Sequence, residues 1–199
     1  MNKLQCPRVQ ISGKYSPDNQ GLFSLRRRLV DAGLIVQFPR GDTIIDYPYK
    51  FAITIPAEAE VPFYKTQIEF FREIRRNHIQ ITFDIYDDLD GYIGESTGIE
   101  TAYALSCNKP ILMLVPPEIY SRMLPKRIQN LIEVHKSNIV IQDIREMTNS
   151  ELTEFLYDFQ TKEVNYGLSY ADRRAIYAEM ITLSRKYLKI WRQYKKSIS

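Results

Sequence analysis

The chain has 199 residues, 44% of them hydrophobic, and a formal net charge of +3. This is enough apolar material for one sizeable core, which excludes a disordered or fibrous chain. No apolar run approaches the ~20 residues that cross a bilayer. The N-terminus lacks a signal-peptide pattern, and the two cysteines lack CxxC spacing. We therefore expect a cytoplasmic protein with no membrane partner, no metal site and no cofactor.

The charge is unevenly distributed along the chain. Residues 172–199 hold eight Lys or Arg and two acids, a balance of +6, which leaves −3 on the rest. A basic segment of this kind can bind nucleic acid or an acidic partner surface. We favour the solvated face of an amphipathic helix as its explanation, because no nucleic-acid-binding motif accompanies the segment. We expect no nucleic-acid partner.

The first forty residues predict a βαβ unit. Residues 8–12 alternate apolar and polar side chains as a short strand does. A helix is predicted from about Asn19 to Gly33, followed by a strand at 34–38. Its apolar face consists of Leu22, Leu25, Leu29 and Val30. Parallel pairing of the two strands is the default for such a unit.

Residues 39–62 carry four prolines and a glycine that interrupt any long element. Residues 51–55 could form a small extra strand. An irregular segment of this length is either a flap over an active site or an insertion without a chemical role. The sequence leaves both interpretations open.

The remaining elements continue the alternation of helices and strands. A helix at 63–77 has Tyr64, Gln67, Ile68, Phe71 and Ile74 at helical spacing, and Ile79, Ile81, Phe83 and Ile85 then alternate as a strand does. A short helix is then predicted after Thr97, a strand at 111–115, a helix near 117–135, a strand at 138–144 and a helix at 149–160, the last capped by Asn149 or Ser150.

The last predicted helix, at 170–196, carries a heptad seam that docks either on its own domain or on another subunit. Its members are Ile176, Met180, Leu183, Tyr187, Ile190 and Tyr194. The predicted fold is α/β: a doubly wound, mainly parallel five-stranded sheet, Rossmann-like or flavodoxin-like, with a C-terminal helical appendage. We divide the chain into an α/β domain at 1–147, with an insertion at 39–62, and C-terminal helices at 148–199.

The stretch 84–116 reads as a strand end, an acidic loop, a helix and an apolar strand. Thr97 and Glu100 have the spacing of a capping box, so we expect Glu100 in the first helical turn, where free amides favour the ionised carboxylate. Open α/β sheets bind ligands beside such strand ends. We predict that Glu100 is a nucleophile, and a purely structural cap is the alternative.

Three familiar motifs are matched only in part. Residues 94–98 satisfy the string G-x-S-x-G, but no strand runs into Ser96 and no Asp lies between it and His135, so a serine hydrolase is not expected. Aligning Gly91 to a calcium loop places Tyr86 at the first ligand position, where an acid is required. Gly13 and Lys14 lack the upstream glycine of a P-loop.

Carboxylates are concentrated in this stretch: Asp84, Asp87, Asp88, Asp90, Glu95 and Glu100 fall within seventeen residues. Crowded acids raise one another's pKa, while a helix N-terminus lowers it. Such a site can hold one carboxylate ionised and another protonated, the pair that retaining glycoside chemistry uses. A solvated acidic loop is the alternative.

The tracts GIETAYAL at 98–105, NKPIL at 108–112, DGYIGES at 90–96 and VQISG at 9–13 resemble the nucleoside 2-deoxyribosyltransferase family. This resemblance implies that Glu100 forms a covalent glycosyl-enzyme, with Asp90 or Glu95 as the acid. It also implies a substrate pocket that contacts the sugar or a 5′-phosphate. The residues that the resemblance assigns to this pocket are Ser12, Gly13, Lys14, Tyr15, Gly91, Tyr92, Ser96, Thr97 and Gly98.

The resemblance implies cleavage or transfer of the N-glycosidic bond of a nucleoside or nucleoside monophosphate, and a homo-oligomer whose subunits complete one another's pockets. The sequence departs from the family in three places. Gln10 stands where an aromatic is usual, Glu69 and Glu73 stand near the place of an expected Asp, and the loop 87–95 is long. The alternative function is a non-catalytic nucleotide-binding module whose basic helix docks a partner.

Overall fold

The computed structural model describes residues 5–14, 19–38, 44–46, 52–54, 63–85 and 89–197. The strands are β1 Arg8–Ser12, β2 Ile35–Phe38, β3 Ile44–Asp46, β4 Ala52–Thr54, β5 Ile79–Thr82, β6 Tyr92–Ile93, β7 Ile111–Met113, β8 Ile119–Tyr120 and β9 Val140–Ile141. The α-helices are α1 Gln20–Asp31, α2 Phe63–Arg76, α3 Glu95–Ser106, α4 Lys126–His135, α5 Asn149–Phe159 and α6 Tyr170–Ser197.

Five strands form the main sheet in the order β2-β1-β5-β7-β9, and every neighbouring pair is parallel. The strand β2 lies on one side of β1, and β5, β7 and β9 follow one another on its other side. This confirms the α/β prediction of a mainly parallel, Rossmann-like sheet of five strands. The crevice between β1 and β5 is where the direction of strand addition reverses, and such switch points bind ligands.

Each face of the sheet is covered by helices, because parallel strands bury both of their faces. Val9 and Ile11 of β1 and Ile79 and Ile81 of β5 pack in one apolar cluster with residues of α1 and α5. A second cluster contains residues of α2, α3, α4 and α6. Both clusters include side chains from the C-terminal helices, and the division at 147/148 stays a prediction.

The long C-terminal helix α6 packs against α2 and α3. Ile176, Leu183 and Tyr187 of the predicted seam are buried, and Met180 and Ile190 pack partly buried against the same cluster. The interpretation in which the seam docks on its own domain is therefore confirmed for these residues.

Several boundaries differ from the sequence prediction. Val30 is 43% exposed, and Phe23 takes its place on the buried face of α1. The helix predicted from residue 117 begins only at Lys126, because residues 119–120 pair with β6 as strand β8. The strand predicted at 138–144 is reduced to β9, since Lys136–Asn138 forms a 3-10 helix.

The cap of α5 also differs, since Thr148 forms a capping box with Glu151. Within the segment 39–62, β3 and β4 pair antiparallel, and β4 at Ala52–Thr54 confirms the small extra strand predicted at residues 51–55. The rest of that segment lies outside the described residues. The prediction of a flap or an insertion falls on those residues and stays a prediction.

Candidate functional site

The candidate site lies at the carboxyl ends of β1 and β5. Ser12 ends β1 and pairs in register with Thr82, which ends β5. Gly13 follows, where a Cβ would lie 2.6 Å from Cδ1 of Leu22. A glycine therefore allows the strand to turn closely into the α1 region, and it places Ser12 at the mouth of the switch point.

Helix α3 begins earlier than the capping-box prediction requires. Gly94 is its N-cap and Glu95 its first residue, so Thr97 already lies inside the helix. The backbone carbonyl of Thr97 accepts a hydrogen bond from Thr101 Oγ1 at 2.8 Å. Glu100 is the sixth residue of α3, beyond the first-turn amides. The prediction of a first-turn carboxylate kept ionised by those amides is wrong.

Glu100 lies instead in the buried interface of α3, α2 and the sheet, with 5% of its surface exposed. Gln67 Nε2 of α2 donates a hydrogen bond to Glu100 Oε1 at 2.8 Å, and the Ser12 hydroxyl also donates to the carboxylate. Burial raises the pKa of Glu100 to about 7, against the lowering effect of these two donors. The carboxyl group can therefore gain or lose its proton near neutral pH.

Ser12 is itself oriented by the sheet. Gln80 Nε2 on β5 donates to Ser12 Oγ at 2.7 Å, so the Ser12 oxygen is already an acceptor and its proton is directed to Glu100. Thr82, the register partner of Ser12 on β5, has its Oγ1 3.1 Å from Oγ1 of Thr101, the residue after Glu100 in α3.

This polar layer extends under β1 toward the other end of the strands. Asn77 Nδ2 donates to Gln10 Oε1 at 2.7 Å, and Gln10 Nε2 donates to the carbonyl of Phe70 at 3.0 Å. Gln10, Ser12, Gln80 and Thr82 are all at most 1% exposed. Two adjacent central strands therefore present polar side chains to the helices α2 and α3.

Asp84 is a second buried carboxyl at the same edge, two residues after β5, with 0% of its surface exposed. Its Oδ1 accepts a hydrogen bond from the Val115 amide at 3.4 Å. Its Oδ2 has no hydrogen-bond partner among the residues that the structure describes. Burial raises the pKa of Asp84 to about 7, and the nearby charge of Asp90 adds to that effect. Asp84 is a stronger candidate proton donor than either acid singled out from the sequence.

Asp90 and Glu95, the two acids proposed from the sequence, are less buried than Asp84. Asp90 is exposed. The Glu95 carboxylate forms an ion pair with Lys186 of α6, and the neighbouring Ser96 hydroxyl bonds the Tyr187 hydroxyl. Burial raises the pKa of Tyr187, and the nearby charges of Glu100 and Glu95 raise it further. The helix α6 therefore brings the Tyr187 phenol close to both carboxylates of α3.

The other predicted substrate contacts are dispersed. Lys14 is exposed, and its carbonyl accepts from Asn19 Nδ2 at 3.0 Å. Tyr15 lies outside the described residues. Thr97 is buried, and Gly98 packs where a Cβ would lie 2.5 Å from Cδ2 of Leu124.

Gly91 and Tyr92 lie between the acidic loop and α3. Gly91 has φ 75°, and a Cβ there would lie 2.4 Å from the carbonyl oxygen of Pro116. Its amide donates to the carbonyl of Asp84 at 2.8 Å. Tyr92 is half-buried in β6. This turn fixes the backbone of Asp84 beside the loop after β7.

Gln67, Gln80, Asp84 and Tyr187 were not assigned to the site from the sequence alone. The sequence contained a signal for Gln67 and Gln80. Gln67 interrupts the apolar face of α2, and Gln80 alternates with isoleucines in a strand that is buried on both faces. A polar side chain at such a position must find a buried partner. Tyr187 had no comparable signal, because its heptad position predicts only packing.

Among the described ranges, no group of three His, Cys, Asp or Glu side chains is placed to hold a metal ion. Within the same ranges no helix combines the length and the apolar character that a membrane crossing needs.

Comparisons with known proteins find a similarity among solved structures. No family model matches the sequence, and no curated protein matches it. The chain is similar to the structure of the CMP N-glycosidase BcmB from Clostridium botulinum, with a TM-score of 0.39 and 15% identity, over 75% of this chain and 96% of that one. A similarity this distant does not indicate which reaction this protein catalyses.

Proposed function

We propose that this protein breaks the N-glycosidic bond of a nucleoside or nucleoside monophosphate, either by hydrolysis or by transfer of the sugar to another base. The observation that carries this proposal is the position of Glu100, at the switch point of the sheet, between donors on α2 and β1. The resemblance of the residues around it to the nucleoside 2-deoxyribosyltransferases supports the same chemistry.

In the proposed reaction an ionised Glu100 oxygen bonds to the anomeric carbon while the bond from that carbon to the base nitrogen breaks. The electron pair of the broken bond moves to the base, which takes up a proton. Water or a second base then displaces Glu100 from the sugar and gives its proton to the acid that protonated the leaving base, and the Glu100 carboxylate is regenerated. Gln67 and Ser12 hold the carboxylate in position, and their hydrogen bonds oppose the effect of burial on its pKa.

The proton for the leaving base is assigned to Asp84. Its pKa is raised to about 7, so a protonated fraction exists near neutral pH, and its Oδ2 is unpartnered within the described residues. Thr82, two residues earlier, contacts the helix that carries Glu100. The two carboxyls can then divide the roles of nucleophile and acid, as carboxylate pairs do in glycoside chemistry.

One observation favours a second function, a nucleotide-binding module without catalysis. Glu100 is 5% exposed and receives hydrogen bonds from two side chains, which is also the environment of a structural carboxyl. In that case the switch point binds a nucleotide and leaves its glycosidic bond intact.

Intact-mass spectrometry and base release, measured with a panel of nucleosides and nucleoside 5′-monophosphates, separate the two functions. We expect the wild type to gain the mass of a sugar or sugar phosphate and to release free base. Glu100→Gln, which keeps the side-chain volume, is expected to lose both signals, with turnover reduced roughly 10³-fold or more. Turnover that persists unchanged in Glu100→Gln contradicts the mechanism. Nucleotide binding by calorimetry without base release supports the binding module.

A further inference from the structure

A groove with a cavity volume of about 790 Å³ lies between α2 and α6, with Tyr103 of α3 also lining it. Phe71, Tyr103 and Met180 line it with apolar surface, and none of Glu100, Ser12, Gln67 or Asp84 contributes to its walls. It is therefore separate from the candidate site at the carboxyl edge of the sheet.

The outer flanks of this groove carry large apolar side chains that the fold does not cover. Ile68 of α2 is 37% exposed, and Tyr177 and Ile181, one turn apart on α6, are 48% and 52% exposed. Contiguous exposed apolar surface marks an interaction site more often than a chance feature. An occupant must cover these flanks as well as fill the groove, which favours an extended segment over a small molecule held inside it.

The charge on the rim is of one sign. Arg72, Arg75, Arg76 and Arg185 line the groove, and no acidic side chain does so among its described lining residues. Glu69 and Glu73 pair with Arg72 and Arg76 from one turn away. Arg75 and Arg185 make no ion pair within the described part of the chain. The occupant is therefore anionic. A second copy related by a two-fold axis would place two such arginine sets against each other.

We propose that this groove docks an acidic amphipathic helix of a partner protein. A helix laid along α2 and α6 inserts its apolar side chains between Ile68 and Ile181, as in other helix-in-groove complexes. Acidic residues on its flanks then meet Arg75 and Arg185. This inference is independent of the chemistry proposed for Glu100, because the two sites share no residue.

The test uses fluorescence anisotropy with a labelled synthetic helix of about 18 residues, with leucines along one stripe and glutamates elsewhere. A matched peptide replaces each glutamate with lysine. We expect the acidic peptide to bind the full chain and the lysine peptide not to bind. Arg75→Ala combined with Arg185→Ala is expected to weaken binding roughly three- to tenfold. Ile181→Glu is expected to weaken it by about tenfold or more, through charge repulsion and lost apolar contact.

Arg27→Ala is the matched control, since Arg27 is an exposed arginine on α1, which packs on the opposite face of the sheet. It is expected to leave binding unchanged. Equal binding of both peptides, or equal weakening by Arg27→Ala, overturns the proposal. A wild-type dimer in sedimentation that Ile181→Glu dissociates reassigns the groove to a second copy. Binding of dodecyl phosphate, lost in the arginine variant, without binding of the acidic peptide, reassigns it to a small anionic amphiphile.

Discussion

The two faces of the central sheet are built from the same strands and have opposite characters. On the face covered by α1 and α5, β1 and β5 present Val9, Ile11, Ile79 and Ile81, all 0% exposed. On the face covered by α2 and α3 they present Gln10, Ser12, Gln80 and Thr82, which are equally buried. The first face needs only packing, whereas the second needs a hydrogen-bond partner for each polar group.

This difference indicates which face is organised for function. A buried polar layer stabilises a fold no better than apolar side chains of the same shape, so its presence calls for another reason. We propose that this reason is Glu100, which Gln67 and Ser12 hydrogen-bond at the carboxyl edge and whose pKa burial raises to about 7. The apolar face gives stability, and the polar face positions an acid.

The largest expected effect on stability comes from the apolar face. Ile81→Ala should lower the free energy of unfolding by ~2–5 kcal/mol, because Ile81 is fully buried and its removal leaves a cavity. Thr82→Val, of similar volume on the polar face, should cost about 1 kcal/mol for the lost contact with Thr101. Chemical denaturation measures both. If Thr82→Val loses more free energy of unfolding than Ile81→Ala, the apolar face is not the one that gives the fold its stability.

The polar face should make stability depend on pH. The pKa of Glu100 is raised from its ordinary value of 4.5 to about 7, so the folded state holds the proton more tightly than the unfolded state. The contribution of Glu100 is therefore fully present below about pH 4.5 and is lost as pH rises through 7. Glu100→Gln keeps a neutral group at every pH.

We expect Glu100→Gln to gain stability relative to wild type as the pH rises from 4.5 to 7. This difference in the free energy of unfolding should reach on the order of 3 kcal/mol and stay constant above pH 7. Urea denaturation at pH 5, 6, 7 and 8 measures it. Glu154→Gln, at an exposed position of α5, serves as the control. A difference that does not vary with pH contradicts the buried state of Glu100.

A smaller effect should follow from removing one donor to Glu100. Gln67→Met deletes the hydrogen bond at 2.8 Å, which favours the ionised carboxylate, so the pKa of Glu100 should rise further. A rise of roughly one pH unit is expected and can be followed by ¹³C NMR of labelled glutamate. Gln10→Met, in the same layer but bonded to Asn77 and Phe70, should leave that pKa where it is. Equal shifts in both variants would mean that the layer acts as a whole.

The smallest effect concerns the attachment of α6 to this face. Tyr187→Phe removes the phenol that bonds Ser96 and should cost about 1 kcal/mol of stability. Tyr170→Phe, at a tyrosine that is 81% exposed, should stay within roughly 0.5 kcal/mol of wild type. Thermal unfolding of the two variants decides whether the polar face extends to α6.

Much of the fold followed from local pattern. The alternation at residues 8–12 gave β1 with its observed ends, and the apolar runs gave the order of elements and the parallel sheet. The start of α3 was misplaced because Gly94, which has no side chain to cap with, is the N-cap, and a Thr and Glu inside the helix imitate a capping box. The buried environment of Glu100 was not predicted, and the assignment of the site itself stays a prediction.

The sequence by itself determined the fold class, the βαβ start and the concentration of acids beside one helix, because periodicity and composition are local properties. Only the tertiary structure decided that Gln67, Ser12 and Gln80 converge around Glu100, and that Asp84 is the acid left buried with an unpartnered oxygen among the described residues. The physical reason is that a pKa and a hydrogen-bond partner depend on burial and on groups distant in the chain. Neither is encoded in the neighbours of a residue.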